Sequence, residues 1–365
     1  MKILLISLAR HGAMVHYIID HANSLSSFAE VYTITSKDVP LDSFDSKVKH
    51  FRIGTGKKKL GTLVNFINPG VYAKLISIIK SINPDLVHMT ASHEWNPVVA
   101  WVIKNILKLP LVYTVFDPTP HEGTPLYFLI PELMVRKIPD AFIVQTDWLK
   151  KDFLSKGFSS ERTYVIQLGS YSAITQWRQK DVPRKNIILF FGRIDKHKGI
   201  ETLLQTAPEV LEKLPKWKIV IAGRGNFQPY QKLVKNDRIE IINEYIEDQK
   251  AARLFQQAKL VVLPYNSATS TGVVGVAYDF EIPVVATDVG SLGAVVEDKQ
   301  TGLIIPPKNP ELLAQAILSL AKNEDYRQQL GKNALAYNKE NLNWNSFAES
   351  HIKVYEEVID KALND

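Results

Sequence analysis

Two basic side chains follow a buried strand at a spacing that suits a diphosphate. The apolar run 187–191 ends at Gly192, and Arg193 and Lys198 lie in the turn that follows, before a helical pattern begins at Ile200. Open α/β sheets bind ligands at the carboxyl ends of their strands, so we expect both cations at such an edge. The planar guanidinium of arginine and the ammonium group of lysine can together bind the oxygens of a diphosphate. The alternative interpretation of these residues alone is a solvated basic loop.

A second loop, residues 267–272, supplies hydroxyl groups and backbone amides. It is small and polar, and it opens a helical pattern of apolar residues. Free amides and the positive end of a helix dipole attract anions, which predicts a phosphate cradle formed by Ser270, Thr271, Gly272 and Val273. Thr271 is expected to cap the helix and donate to phosphate, while Gly272 lets the phosphate approach the backbone. Considered alone, the loop also fits an ordinary capped helix.

Polar side chains also concentrate in the strand-end loop 88–96, which contains two histidines, a glutamate and a tryptophan. We expect His93 and Glu94 to contact an acceptor substrate. Zinc binding is the alternative, but the spacing matches no known ligand set. His88 lies at the strand end itself and is expected to be a hydrogen-bonded core residue.

Apolar runs and helical patterns alternate along the chain and must position these loops. Continuous Val, Ile and Leu runs indicate strands buried on both faces of a parallel sheet. Strands are predicted at 3–7, 31–34, 86–88, 111–115, 141–145, 187–191, 218–222, 239–242, 260–264, 283–286 and 302–305. Helices are predicted at 15–25, 70–82, 97–107, 200–214, 249–257, 271–280, 310–322, 325–337 and 344–362. The alternation occurs twice, which predicts an α/β fold of two doubly wound domains joined by a linker at 169–185.

The amino-acid composition indicates which classes of protein this chain can belong to. The 365 residues are 45% apolar and 22% charged, as is ordinary for a soluble globular protein of two domains. There is no cysteine, which excludes disulfides, thiolate catalysis and cysteine-bound metal. Residues 1–7 are expected to form a buried strand rather than a signal peptide, and no run has the length of a membrane span. A cytoplasmic location is therefore expected.

The basic excess lies in the first half of the chain. Residues 1–170 hold 19 Lys and Arg against 14 Asp and Glu, whereas the remainder holds 25 against 24. Residues 57–59 are consecutive lysines beside an apolar stretch, which suits either peripheral contact with the inner face of a membrane or a solvated loop. Nucleic acid is not an expected partner, since no basic stripe with interleaved aromatic residues is present.

Taken in order, these motifs resemble those of retaining glycosyltransferases of the GT-B fold, glycosyltransferase family 4. The resemblance runs nearly end to end, and it is carried by GRIDKHKG at 192–199, IAGRG at 221–225 and the segment 260–289. It implies two Rossmann-like domains that face each other across a cleft. Residues 1–170, with a crossing helix at 344–365, would form the acceptor domain, and 171–343 the nucleotide-sugar domain.

The resemblance also implies where the donor binds. Arg193 and Lys198 match the diphosphate-binding pair of the family. Gly223 lies in its strand-end turn, and Gly12 matches a glycine-rich loop after the first strand. The nucleotide base is expected near 241–246, where Tyr245 either stacks on the base or packs in the protein.

Catalytic residues on the acceptor side are implied at 116–123. The family often has a His-Asp pair there, of which Asp117 is present while Phe116 replaces the histidine. His121, four residues after Asp117, is a substitute, since histidine can polarise a hydroxyl near neutral pH. Asp117 is either the base or an orienting group, or else it caps the following turn.

Two family carboxylates are absent. Their positions are Ala268 and Val276, where the family glutamates would hold the donor sugar hydroxyls and the ribose. The Ser/Thr-rich form of this loop resembles a divergent subgroup and leaves the sugar and the base open.

The predicted function is a retaining transfer of a hexosyl or related sugar from a nucleoside diphosphate to an acceptor hydroxyl, in polysaccharide or glycoconjugate synthesis. The acceptor is expected to be a sugar, a glycan or a lipid-linked molecule. No Asp-x-Asp motif is present, so metal-independent binding of the diphosphate and no cofactor are expected. The alternative is a non-catalytic, nucleotide-sugar-binding GT-B subunit that acts as a scaffold or activator.

Overall fold

The two halves of the chain each fold around a parallel sheet. The computed structural model describes residues 1–10, 12–56, 65–66, 68–116, 134–135, 137–268 and 271–364. Contacts divide the chain into two units, Met1–Leu168 together with Trp344–Asp365, and Gly169–Asn343. The first unit is therefore discontinuous, because the last helix packs with N-terminal elements.

Seven parallel strands make up the described sheet of the first unit. They are β1 (Lys2–Ser7), β2 (Glu30–Ser36), β3 (Lys49–Ile53), β4 (Leu86–Met89), β5 (Leu111–Thr114), β6 (Ala141–Val144) and β7 (Thr163–Val165). Their spatial order is β3-β2-β1-β4-β5-β6-β7, so the direction of winding reverses between β1 and β4. The loops after β1 and β4 flank the crevice that such a reversal creates.

Helices cover both faces of this sheet. They are α1 (Ala13–Leu25), α2 (Pro69–Ile82), α3 (Asn96–Trp101), α4 (Asp147–Ser155) and, at the end of the chain, α12 (Trp344–Asn364). Leu4 and Ile6 of β1 join the core beneath α2, α3 and α4, whereas Ile3 and Leu5 join the core beneath α1 and α12. This burial on both sides explains the uninterrupted apolar run that predicted β1.

Four elements of the first unit differ from the sequence predictions. The edge strands β3 and β7 were not predicted, because they are short, only partly buried and without a continuous apolar run. Helix α4 was also not predicted. The single helix expected at 97–107 is α3 followed by a π-helical turn, Val102–Ile106.

The second unit has six parallel strands among its described residues. They are β8 (Ile187–Phe191), β9 (Lys218–Ala222), β10 (Ile239–Ile242), β11 (Leu260–Leu263), β12 (Val284–Thr287) and β13 (Gly302–Ile305). The helices are α5 (Ser172–Thr175), α6 (Ile200–Lys213), α7 (Asp248–Gln257), α8 (Val273–Asp279), α9 (Leu292–Val295), α10 (Pro310–Lys322) and α11 (Glu324–Asn341). The strand order is β10-β9-β8-β11-β12-β13, which places the reversal between β8 and β11.

The segment expected to be a linker, 169–185, packs within the second unit. The Ser170 amide donates to the carbonyl oxygen of Leu342 at 3.1 Å, and the Ser170 hydroxyl donates to the carboxylate of Asp279. The Arg184 guanidinium donates to the carbonyl oxygens of Ala258, at 2.6 Å, and Phe280. A polar composition suggested an exposed connector, but here the polar side chains satisfy buried and helix-terminal groups instead.

Within the described part of the chain, none of the helices combines the length and the apolar character that crossing a bilayer requires.

Candidate functional site

Glycines allow the ends of β8 and β9 to touch. Gly192 and Gly223 have φ angles of 144° and 148°, which L side chains rarely adopt. A Cβ atom on Gly223 would lie 1.9 Å from the carbonyl oxygen of Gly192. Just beyond, the Ile194 amide donates to the carbonyl oxygen of Arg224 at 3.0 Å. The turn that carries Arg193 is therefore fixed against the neighbouring strand.

The loop after β11 holds the other side of this turn. The Asn266 backbone amide donates to the carbonyl oxygen of His197 at 2.8 Å, and its side-chain amide donates to that of Lys196 at 3.2 Å. Gly199 has a φ of 64°, and a Cβ atom there would lie 1.7 Å from the carbonyl oxygen of Pro264. The two loops that flank the reversal between β8 and β11 are thus joined.

Both cations predicted to bind phosphate lie at the end of β8, in a turn that these contacts hold in place. The Nζ atom of Lys198 lies 3.8 Å from the centroid of the Tyr265 ring. The Nε atom of Arg193 lies 3.4 Å from Oδ2 of Asp195, and the arginine side chain is 72% exposed. Among the residues that the structure describes, Lys198 has no carboxylate partner. Its positive charge is available to an anionic ligand.

The predicted phosphate cradle needs a correction at its helix start. Helix α8 begins at Val273, not at Thr271, and Gly272 occupies the N-cap position. The Thr271 hydroxyl oxygen accepts a hydrogen bond from the Val273 amide at 3.3 Å. Thr271 therefore lies one residue before the N-cap rather than at it, and in this structure the Val273 amide is already partnered. Ser270 lies outside the described residues.

Gly272 is required for a reason other than the one predicted. A Cβ atom at Gly272 would lie 2.1 Å from a ring carbon of Tyr171. Its φ of −74° is one that any residue adopts. The glycine therefore makes room for the Tyr171 ring. It is this ring, and not a bound phosphate, that excludes a side chain at position 272.

The positions of the missing carboxylates are buried. Ala268 is 5% exposed and Val276 is 1% exposed, and Val276 lies on the inner face of α8. Tyr245, which follows β10, is 51% exposed, so one side of its ring is accessible, and stacking on a base and packing in the protein both stay predictions. The Gly225 amide donates to Oδ1 of Asn243 at 3.0 Å, which ties the loop after β9 to the segment that leads to Tyr245.

The predicted acceptor residues lie after β4, beside the reversal in the first unit. Nδ1 of His93 accepts a hydrogen bond from the Trp95 amide at 3.2 Å, which assigns the proton of a neutral ring to Nε2. Nε2 lies 3.6 Å from Oε2 of Glu94. Burial lowers the pKa of His93, Glu94 opposes that shift, and Arg10 adds to it. A neutral Nε2–H donor beside a half-exposed carboxylate can bind a hydroxyl group.

Gly12 lies after β1, on the other side of the same reversal. Its φ is 80°, and apart from its chain neighbours no described residue has an atom within 4 Å of the position that a Cβ would occupy. The role of Gly12 in letting a ligand approach the backbone stays a prediction. Asp117, His121 and the lysines at 57–59 lie outside the described residues.

A buried cluster of histidines connects α1, β4 and α12. Nδ1 of His88 lies 2.6 Å from the Tyr355 hydroxyl, and Nε2 lies 2.7 Å from the Thr114 hydroxyl. The Tyr355 hydroxyl lies 3.2 Å from Nε2 of His21, and the ring of His351 packs beside that of His21. His88 is thus the hydrogen-bonded core residue that its position predicted.

Tyr265 and Asp279 make contacts that the sequence alone does not reveal. Tyr265 lies under Lys198, and the only signal was an aromatic residue two positions after a buried strand. The Asp279 carboxylate accepts hydrogen bonds from Ser170 and, at 2.6 Å, from Asn338, while burial raises its pKa. These contacts join residues distant in sequence, and no local pattern reveals them.

A model of a known protein family matches the second half of the chain. Residues 174–336 match the family model described as "Glycosyl transferases group 1". The match covers most of the second unit, and it confirms the predicted resemblance to glycosyltransferases over this segment.

Curated relatives align with different shares of this chain. An uncharacterized glycosyltransferase of Methanocaldococcus jannaschii, MJ1607, is 28% identical over 47% of this chain and 45% of its own length. The D-inositol 3-phosphate glycosyltransferase of Corynebacterium kroppenstedtii is 24% identical over 84% of this chain and 74% of its own. The chain thus spans about half of the first relative and about three quarters of the second.

Solved structures share the fold over the whole chain. Sucrose-phosphate synthase from Thermosynechococcus elongatus has a TM-score of 0.78 at 21% identity, with 99% of each chain covered. The Anabaena protein HepE in complex with UDP and glucose has a TM-score of 0.75 at 18% identity, with 98% of this chain and 100% of that chain covered. The predicted fold class is confirmed as two Rossmann-like domains of the kind found in GT-B glycosyltransferases.

Proposed function

We propose that this protein is a retaining, metal-independent glycosyltransferase. It transfers a hexosyl or related sugar from a nucleoside diphosphate to an acceptor hydroxyl. The observation that carries the proposal is the pair Arg193 and Lys198, two cations held at the strand reversal of the unit that matches the model of group 1 glycosyl transferases. The structural neighbour HepE, which binds UDP and glucose, supports a nucleotide-sugar donor.

Arg193 and Lys198 stabilise the leaving diphosphate in this proposal. The bond between the anomeric carbon and the diphosphate oxygen breaks, and negative charge grows on that oxygen. Preorganised cations that meet this charge lower the barrier without reorganising solvent. The sequence holds no Asp-x-Asp motif, and the two side chains supply the charge that a metal ion would otherwise supply.

The acceptor attacks from the face that the diphosphate leaves, which retains the anomeric configuration. The acceptor oxygen forms the new bond to the anomeric carbon, and its proton passes to a departing phosphate oxygen. No pair of catalytic carboxylates of the glycosidase type is then needed. This agrees with the apolar, buried residues at Ala268 and Val276.

The acceptor hydroxyl is bound by the first unit. His93 offers its Nε2–H and Glu94 its half-exposed carboxylate. Asp117 and His121 remain proposed as a base or orienting group and as a polarising group. The acceptor class is a sugar, a glycan or a lipid-linked molecule, to which the basic excess of the first half of the chain is suited.

A non-catalytic subunit is the second candidate function. The absence of both family carboxylates, at Ala268 and Val276, favours it. Such a subunit would bind a nucleotide sugar through the same two cations but would release no sugar from it.

Thermal unfolding with a panel of nucleoside diphosphates and their sugars tests donor binding. A ligand at ~100 times its Kd adds about 2.7 kcal/mol to the stability of a protein that binds it. We expect one nucleotide series to stabilise the wild type and to stabilise Arg193→Ala and Lys198→Ala much less. Lys322→Ala, an exposed lysine in the last turn of α10, is the matched control and should behave as wild type. Equal stabilisation of all four proteins would refute the role of the cations.

Release of sugar from the stabilising donor separates the two functions. Without an acceptor, a retaining transferase slowly hydrolyses its donor and first yields the anomer that the donor carried, which NMR detects. Donor binding without any release, with or without a panel of acceptors, would favour the non-catalytic subunit. First release of the opposite anomer would refute the retaining mechanism.

A further inference from the structure

The Lys198 side chain rests on an aromatic ring rather than beside a carboxylate. Its Nζ atom lies 3.8 Å from the centroid of the Tyr265 ring. We propose that Tyr265 is a positioning residue that holds the Lys198 ammonium ready for the diphosphate of the donor. This inference rests on the proposed function of Lys198.

Tyr265 is suited to hold another side chain because it is itself fixed. The residue is 1% exposed and lies two positions after the last residue of the buried strand β11. Its carbonyl oxygen accepts a hydrogen bond from the Thr287 hydroxyl at 2.6 Å, which ties it to β12. The next residue, Asn266, donates from its amide to the carbonyl oxygen of His197, the residue before Lys198. The ring and the backbone of Lys198 are thus set in one rigid arrangement.

An aromatic face holds a cation in a way that a carboxylate cannot. The negative face of the ring attracts an ammonium group but adds no net charge to the site. A carboxylate partner would compete with the phosphate and would lower the positive potential that attracts it. The nearest acidic side chain in this turn, Asp195, faces Arg193 instead. Lys198 is therefore restrained in advance while its full charge remains for the ligand, which reduces the entropy lost on binding.

NMR gives a direct test that does not depend on activity. Protons on Cε of Lys198 should be shifted upfield by the ring current of Tyr265, and Lys198→Ala identifies their signal. We expect the shift to be lost in Tyr265→Leu and kept in Tyr265→Phe, since the hydroxyl plays no part in the contact. An unshifted signal in the wild type would overturn the proposal.

Binding of UDP, with inorganic pyrophosphate as a probe that lacks a base, tests the consequence. We expect Tyr265→Leu to raise the Kd about five- to tenfold, within the range of cation–π interactions, and Tyr265→Phe to change it less than about twofold. In a Lys198→Ala background, Tyr265→Leu should have little further effect on the Kd. An equal effect of Tyr265→Leu with and without Lys198 would assign the ring a packing role only and overturn the proposal.

Two outcomes keep this inference distinct from the proposed function. If Lys198→Ala leaves the Kd for both probes unchanged, the phosphate-binding role of Lys198 itself fails, and the inference fails with it. If Lys198→Ala weakens binding but Tyr265→Leu does not, only the inference fails. Should Tyr265→Leu not fold, phenylalanines of increasing fluorination at position 265 keep the shape of the ring and weaken its negative face. The Kd should then rise with each added fluorine, and a flat series would overturn the proposal.

Discussion

At the scale of single residues, the distance from an added Cβ atom to its nearest neighbour shows which glycines can be replaced by a larger residue and which cannot. Gly223→Ala would place a methyl group 1.9 Å from the carbonyl oxygen of Gly192, so the ends of β8 and β9 would have to separate. Gly157 shares the positive φ, at 87°, but apart from its chain neighbours no described residue has an atom within 4 Å of the carbon that Gly157→Ala would add.

We therefore expect Gly157→Ala to lower the free energy of unfolding by about 1 kcal/mol, from backbone strain alone. Gly223→Ala should lower it by more than about 2 kcal/mol, because overpacking adds to the strain. It should also weaken nucleotide binding, since the turn that carries Arg193 must move. Urea unfolding and nucleotide titration measure both effects. Equal losses of stability in the two variants would contradict this account.

The role of a residue could be predicted from the sequence where the residue follows the end of an apolar strand. Arg193 and Lys198 lie in the turn that follows an apolar run, and that pattern suffices to place them at a sheet edge. Tyr265 could not be assigned to Lys198, because the contact joins residues 67 positions apart. Gly272 was assigned to a ligand because the ring that needs its space, Tyr171, lies about 100 positions earlier.

At the scale of elements, burial on both faces made most of the fold predictable. Central strands such as β1 and β8 are continuous apolar runs, and their bounds were predicted closely. The edge strands β3 and β7 have partners on one side only and fewer buried residues, so no apolar run marks them. The start of α8 was predicted two residues early, because a threonine that accepts from a helix amide resembles an N-cap in sequence.

Helix α3 and its π-helical extension carry two exposed apolar side chains. Trp101 is 52% exposed and Ile106 is 50% exposed, in the first half of the chain, which carries the basic excess. We expect the protein to sediment with vesicles that contain anionic lipid, and less so at high salt, since tryptophan and lysine favour the interface. The double variant Trp101→Ser and Ile106→Ser should sediment several-fold less.

Trp177→Ser is the matched control for this experiment. Trp177 is 46% exposed but belongs to the second unit, so its loss should leave sedimentation unchanged. Sedimentation of the double variant at the wild-type level would show that α3 does not contact the membrane.

At the scale of the whole molecule, the histidine cluster predicts how stability depends on pH. His21, His88 and His351 are fully buried, and burial lowers the pKa of each, that of His351 to about 3. Below the ordinary histidine pKa of 6.5, the unfolded chain binds protons that the folded chain does not. Stability is therefore expected to fall as the pH decreases from about 6.5, by up to about 1.4 kcal/mol per pH unit for each histidine.

Urea unfolding at a series of pH values measures this slope. His351→Gln should reduce the slope between pH 6 and pH 4 by about 1.4 kcal/mol per pH unit, because one fewer proton binds on unfolding. His16→Gln changes a histidine of α1 outside the cluster and serves as the control. An unchanged slope in His351→Gln would show that this histidine is already protonated in the folded protein.

The discontinuity of the first unit has a consequence for synthesis on the ribosome. Residues 1–168 emerge first, yet part of their core consists of Phe347, Ala348, Val354 and Tyr355 from α12. The continuous unit 169–343 can complete its own core while α12 is still being translated. During that interval the nascent chain exposes the apolar face of β1 and α1 that α12 later covers, and it is then a candidate substrate for chaperones.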